Sequence, residues 1–274
     1  MVRFRQEVSI EPLSRRRLED IVEAFHDVVE GLDFTGDRFV DPSGGAEIRL
    51  IEGRHIATGT RYELVPFNAA ERREREVAGG GEAPSDLLIT SWNRDVETGI
   101  QLMLDEDSYS MTWTMKLCSA HRPRTLMAHF VLNGNHRLVR EITFLAEIDL
   151  ERWWQQLDGH GSGIPAATAR VTHHLFTGTL EAVPHTTGDN RWGLAVTVAG
   201  RSRSWARPPA ALTAVFLRAV LRRAVTKRII DLAHTWDKAV VDVRTESPAE
   251  VARRILVYLL APPDGLPDYQ DERS

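Results

Sequence analysis

Cys118 stands three positions before His121 in the run Leu117-Cys118-Ser119-Ala120-His121. A thiol beside an imidazole is the minimum a cysteine hydrolase needs, because the base must take the thiol proton. No family signature surrounds either residue, and a lone cysteine more often fills a small space in a core. Gly159-His160-Gly161-Ser162-Gly163 invites comparison with a nucleophile elbow, but that turn needs Ser third, in Gly-x-Ser-x-Gly, and here Ser162 is fourth. A phosphate loop would need Lys followed by Ser or Thr, which the segment lacks. It reads as a flexible connector. His173 and His174 are adjacent on a predicted strand and so point to opposite faces, which keeps them from sharing one metal. No His-Glu-x-x-His or His-x-His occurs. Asp105, Glu106 and Asp107 read as an acidic hairpin tip. These residues predict no catalytic site, no metal site and no cofactor.

Two other patterns point to binding. Tryptophan occurs at 92, 113, 153, 154, 192, 205 and 236. In a curved sheet such side chains can line an apolar pocket, and core packing is the competing reading. Trp113, Met111, Met115 and Trp236 are the candidate ligand contacts. The second pattern is charge. No acidic residue lies between Asp189 and Asp231, a stretch that carries Arg191, Arg201, Arg203, Arg207, Arg218, Arg222, Arg223, Lys227 and Arg228. Arg201, Arg203, Arg207, Arg218, Arg222 and Arg223 are the candidate anion contacts, for nucleic acid, a phosphorylated ligand or an acidic protein surface. The competing reading is a set of solvated helix faces, since the helical members are angularly dispersed.

Composition narrows the classes. The net charge of -5 argues against a general nucleic-acid coat. A single cysteine excludes an internal disulfide and a zinc site built on several thiolates, and it points to a reducing, cytoplasmic compartment. MVRFRQEVSI carries no signal-like apolar run, and no apolar stretch is long enough to span a bilayer. Lysine occurs only at 116, 227 and 238, so arginine carries nearly all the positive charge. Arginine codons are GC-rich, which suggests a bacterial source with such a genome and weakens any functional claim drawn from arginine abundance alone.

The elements that must position these residues follow from periodicity. A short strand over 4–10 precedes a helix from about Ser14, with Leu18, Ile21, Val22, Phe25, Val28, Val29 and Leu32 on one face. Arg15, Arg16 and Arg17 crowd the positive end of its dipole. Strands are expected over 47–51 and 56–65, then a loop through the charged run 71–76 and Gly79-Gly80-Gly81. Ile100, Leu102 and Leu104 alternate with polar neighbours. After a turn at 105–108, Tyr109, Met111, Trp113, Met115 and Leu117 do the same, predicting one buried sheet face. A hairpin joins 127–132 to 138–145 across Asn133-Gly134-Asn135. A helix over 151–157, strands over 171–183 and 192–199, a long helix over 208–236 and a last helix from Ser247 complete the chain. Ser247 and Glu250 form a capping box with Pro248 at the first helical position, and Val251, Ala252, Ile255, Leu256 and Leu259 form the apolar face of that helix.

The order of strand, helix, seven or eight antiparallel strands and a long helix resembles the helix-grip layout of START-like ligand-binding domains. The resemblance implies a curved sheet wrapped on the 208–236 helix, with a pocket between them. The expected fold is therefore α+β, with a curved antiparallel sheet packed on a long helix in the C-terminal region. Residues 1–262 form one domain with a hinge near 159–163, and 263–274 form a polar tail. The expected function is non-enzymatic binding, of a small apolar ligand or a protein partner. An anion- or nucleic-acid-binding module using 191–228 is the alternative, and a cysteine hydrolase a third. No membrane span is expected.

Overall fold

The computed structural model describes residues 2–40, 46–66, 85–106, 108–135, 140–161, 163–202 and 211–260. Its centre is one antiparallel sheet of twelve strands. In chain order these are β1 (Val2–Ile10), β2 (Arg38–Val40), β3 (Ala46–Glu52), β4 (Arg61–Pro66), β5 (Ser85–Asn93), β6 (Glu97–Glu106), β7 (Tyr109–Cys118), β8 (Thr125–Gly134), β9 (Ile142–Asp149), β10 (Ala167–His173), β11 (Phe176–Thr186) and β12 (Trp192–Ser202). Strands β2 to β12 are laid down in sequence order, and β1 closes the far edge by pairing with β12 from Val2 opposite Gly200 to Ile10 opposite Trp192. Four helices occur with them among the described residues: α1 (Arg15–Glu30), α2 (Leu150–Leu157), α3 (Ala211–Thr245) and α4 (Pro248–Leu260).

The fold class is the expected one, a curved antiparallel sheet with a long helix in the C-terminal region. The strand run is longer than expected, eleven strands after α1 interrupted by α2. The segment 171–183 is two strands rather than one, separated at His174-Leu175, where no glycine, proline or asparagine marks a turn. His174 therefore does not continue the strand of His173, and the two imidazoles meet edge to face, 4.0 Å between centroids. The long helix runs nine residues past Trp236, to Thr245. Residues 56–60 form turns before β4, with Ile56 at φ 56°.

β7 pairs with β6 and β8, setting Trp113 opposite Leu102 and Phe130, and Met115 opposite Ile100 and Ala128. The odd-numbered residues share one face, as the alternation predicts. All ten residues of β7 are half-buried rather than buried. Its even-numbered side borders an open groove that includes Thr114 and Lys116, so neither side is sealed. Sheet curvature has a local device in β5, where the register skips Thr90 between Ile89 opposite Ile100 and Ser91 opposite Gly99. A bulge of this kind bends the strand and raises its twist. Gly99 is required opposite it, because a Cβ there would lie 2.4 Å from Thr90 Oγ1.

The helices divide the sheet between them. Val225 and Ile229 of α3 pack on Val8, Ala182 and Val196 of β1, β11 and β12. α1 and α4 pack against each other, and Leu256 of α4 reaches the cluster of Ile48, Tyr62, Leu64, Ile89 and Leu102 on β3 to β6. The entrances of α1, α2 and α4 are capped. Ser14 Oγ accepts from Arg17 N at α1, and Asp149 Oδ1 accepts from Arg152 N at α2. At α4 the capping box is formed as predicted: Glu250 N donates to Ser247 Oγ, and Ser247 N donates to Glu250 Oε2.

Candidate functional site

The apolar faces of α1 and the middle of the sheet do not close on each other. Between them lies a cavity of about 410 Å³, within the range of small-molecule sites. Leu18, Ile21, Val22 and Phe25 of α1 line one side. Ile100, Met115, Leu117, Leu126 and Ile148, on β6 to β9, line the other. Ile255 and Leu259 of α4 complete the roof, while Trp153 and Trp154 of α2 and Trp192 of β12 build one end. Trp192 stands edge-on to both α2 indoles, at 6.1 and 5.6 Å between centroids. Trp236 of α3 and Ile255 line the cavity yet are 37% and 38% exposed, so they mark its mouth. The roof is thus α1 and α4, not the long helix that the helix-grip layout implied. α3 contributes Trp236 because its preceding turns are already packed on β1, β11 and β12.

Apart from indole N–H groups, the polar side chains bordering this space among the described residues are His26, Thr98 and Lys116. Lys116 extends on the opposite side of β7, where its ammonium donates to Glu97 at 3.1 Å. His26 is 2% exposed. Its Nδ1 lies 2.8 Å from Val22 O, and its Nε2 lies 2.8 Å from Thr98 Oγ1. Burial holds its pKa below the ordinary histidine range. Below it, Arg94 bonds Glu30 and Asp27, each at 2.7 Å, and Trp92 Nε1 donates to Glu30. These bonds tie the end of α1 to the β5–β6 turn. Arg94 holds the Glu30 carboxyl below its usual range.

The sequence-derived ligand contacts separate. Met115 and Trp236 line the cavity. Trp113 lines a small adjoining void of about 60 Å³, whose wall shares Phe25, Ile100, Met115 and Leu259 with the larger space. Met111, opposite Leu104 and Leu132, borders neither. The sequence reading missed His26 and Thr98, and among the seven tryptophans it did not single out Trp153, Trp154 and Trp192. The tryptophans were visible in number, but they converge from elements that only the sheet order brings together.

The anion contacts separate too. Arg203 and Arg207 lie outside the described residues, and Arg218 falls within α3. Arg201 is exposed at the end of β12, opposite Thr177. Arg222 and Arg223, both exposed, join Lys227, Thr226, Ile230 and Gln6 of β1 around an open groove. Arg191 is used internally: it pairs with Glu11 and with Asp237, the latter at 2.7 Å, beside an Arg244–Glu11 pair at 3.0 Å. His121 turns Nδ1 to Arg94 O at 3.1 Å and to Asp95 at 3.5 Å, and no described hydrogen bond joins it to Cys118. Ser162 and Asp107 lie outside the described residues. Gly159 and Gly163 take positive φ, and the connector is held where Gln156 Nε2 donates to Ile164 O. No group of three or more metal-ligating side chains occurs among the described residues. No helix among them is long and apolar enough to cross a membrane.

No family model and no curated protein matches the chain. Among solved structures it is similar to the crystal structure of Ara h 8.0201, at 12% identity over 85% of this chain and 97% of that one, with a TM-score of 0.16. A superposition that loose bears on neither the fold nor the ligand.

Proposed function

We propose that the protein binds a small apolar molecule in the cavity between α1, α4 and the sheet, without acting on it. The carrying observation is the wall itself. Aliphatic and aromatic groups from all four described helices and from the sheet face one space large enough for a small ligand, open at Trp236 and Ile255. Burying an apolar ligand there is favoured at roughly 25 cal/mol per Å² removed from water. The single cysteine fits a reducing cytoplasm for such a binder, and the scarcity of lysine beside arginine fits a bacterial source. Native mass spectrometry of freshly purified protein, then of protein incubated with pyrene, tests the reading. The expected result is a co-purifying lipophilic mass or a one-to-one pyrene complex, weakened in Met115→Trp, whose larger ring takes up part of the cavity. No adduct and no pyrene uptake would overturn it.

A second reading has one specific support. Arg222, Arg223 and Lys227 line a groove of about 600 Å³ beside β1, with no acidic side chain among its described lining residues. That arrangement suits a phosphate-bearing partner.

A further inference from the structure

The class of the ligand can be read from the protons of the His26–Thr98 pair. This step rests on the cavity reading above. Val22 O is a carbonyl and can only accept, so the 2.8 Å contact with His26 Nδ1 requires a proton on Nδ1. A ring with 2% exposure stays neutral, because burial disfavours the charged form. In a neutral imidazole with Nδ1 protonated, Nε2 is an acceptor. The partner of Nε2, at 2.8 Å, is Thr98 Oγ1, so the hydroxyl proton of Thr98 is given to His26. What Thr98 Oγ1 retains is lone pairs only. Thr98 sits on the cavity face of β6, two residues before Ile100 and opposite Leu117, and all three border the cavity.

We propose that Thr98 Oγ1 is the polar anchor of this cavity, and that it selects apolar molecules carrying a neutral hydrogen-bond donor, a hydroxyl above all. The logic is one of matching. An alcohol or phenol donates to the waiting lone pair, whereas an ether or ketone of the same size brings a second acceptor. A carboxylate would meet no countercharge, since the Lys116 ammonium is held by Glu97 on the other face of the sheet. The fixed tautomer gives the preference its direction: an Nε2–H ring would turn Thr98 into a donor and reverse it.

Pyrene serves as the reporter, because it forms no hydrogen bond and reads cavity occupancy alone. Dodecanol and undecyl methyl ether have equal numbers of heavy atoms and differ in that only the first donates. Each is titrated against bound pyrene in the wild type, Thr98→Ser and Thr98→Val, and the ratio of half-displacing concentrations is taken within each protein. The wild type and Thr98→Ser should favour the alcohol by about 2- to 10-fold, the worth of one net hydrogen bond. In Thr98→Val the ratio should fall to about one. Equal displacement by alcohol and ether in the wild type, or an alcohol preference that survives in Thr98→Val, would overturn the anchor while leaving the cavity reading intact. Failure of pyrene to bind the wild type would overturn both. If Thr98→Val does not fold, the wild-type ratio alone decides.

Discussion

Arg17, in the first turn of α1, donates from both Nε and Nη2 to the carbonyl of Val243 near the end of α3, at 3.1 and 2.5 Å. The same Nη2 also bonds Glu246 O. Three successive arginines at the positive end of a helix dipole look like a fault in the sequence. The fold resolves it by aiming this one at the negative end of another helix, where terminal carbonyls have no intrahelical donors. Arg15 is spent differently, on Glu19 and Glu151, both at 3.0 Å.

Arg17→Ala should therefore loosen α3 from α1. A hydrogen bond to a charged donor contributes about 1.5–3 kcal/mol, and the loss should read as a lower urea midpoint. Arg17→Lys should recover only part of it, since an ammonium lacks the planar fork. An unchanged midpoint in Arg17→Ala would show that the contact carries no stability.

Much of the fold can be read from the chain. Ser247, Pro248 and Glu250 place the start of α4 because a capping box is a local device. The face of β7 is legible because strand periodicity does not depend on the neighbours. β5 is hidden by its own bulge, since the extra residue Thr90 shifts the alternation halfway along the strand. The site is harder still. His26 and Thr98 are 72 residues apart, and neither type nor spacing announces the pair. Its meaning lies in which atom holds the proton, and that is set by Val22 O, a backbone group.

Stability should fall as the pH drops below the ordinary histidine range. His26 has a folded pKa depressed first by burial, with Arg94 adding to this and the Val22 bond, Glu30 and Asp27 opposing it. The unfolded chain protonates first, near about 6.5, so its neutral-ring stabilisation is complete above that value and is lost as pH falls toward the folded pKa. Glu30, held low by Arg94, and Glu97, held low by Ser91 and Lys116, stay ionised through this window. Urea midpoints at about pH 7.5 and about pH 5.5 should differ more in the wild type than in His26→Gln, which does not titrate there. Equal differences in the two proteins would refute the assignment.

Trp192 and Trp236 border the same cavity but should respond differently to truncation. Trp192 is 8% exposed and packs with Ile10, Leu13, Leu157 and Val240. Trp192→Ala should cost about 3–5 kcal/mol, through lost transfer energy and the void left behind. Trp236, at the mouth, keeps one hydrogen bond, from Nε1 to Glu11 O at 2.8 Å. Trp236→Ala should cost well under half as much, while changing pyrene affinity. Chemical denaturation of both variants, with pyrene titration of whichever remains folded, checks the contrast.

The groove beside β1 should reveal through salt whether it serves an anionic partner. Arg222 and Arg223 are consecutive on α3 and would diverge on an isolated helix, and Lys227 follows one turn later. They border one space because β1, through Gln6, lies alongside that face. If three cations neutralise three phosphates, counterion release sets a slope of log affinity against log salt of roughly -2 to -3. Arg222→Ala combined with Arg223→Ala should lower the affinity and flatten the slope by about two contacts' worth. Since both side chains are exposed, the melting behaviour should stay within about 0.5 kcal/mol of the wild type. The measurement is a salt titration against a labelled single strand, a duplex and polyphosphate. Binding to none of the three at about 50 mM salt, where screening is weak, would leave these cations as a solvated helix face and remove the second reading.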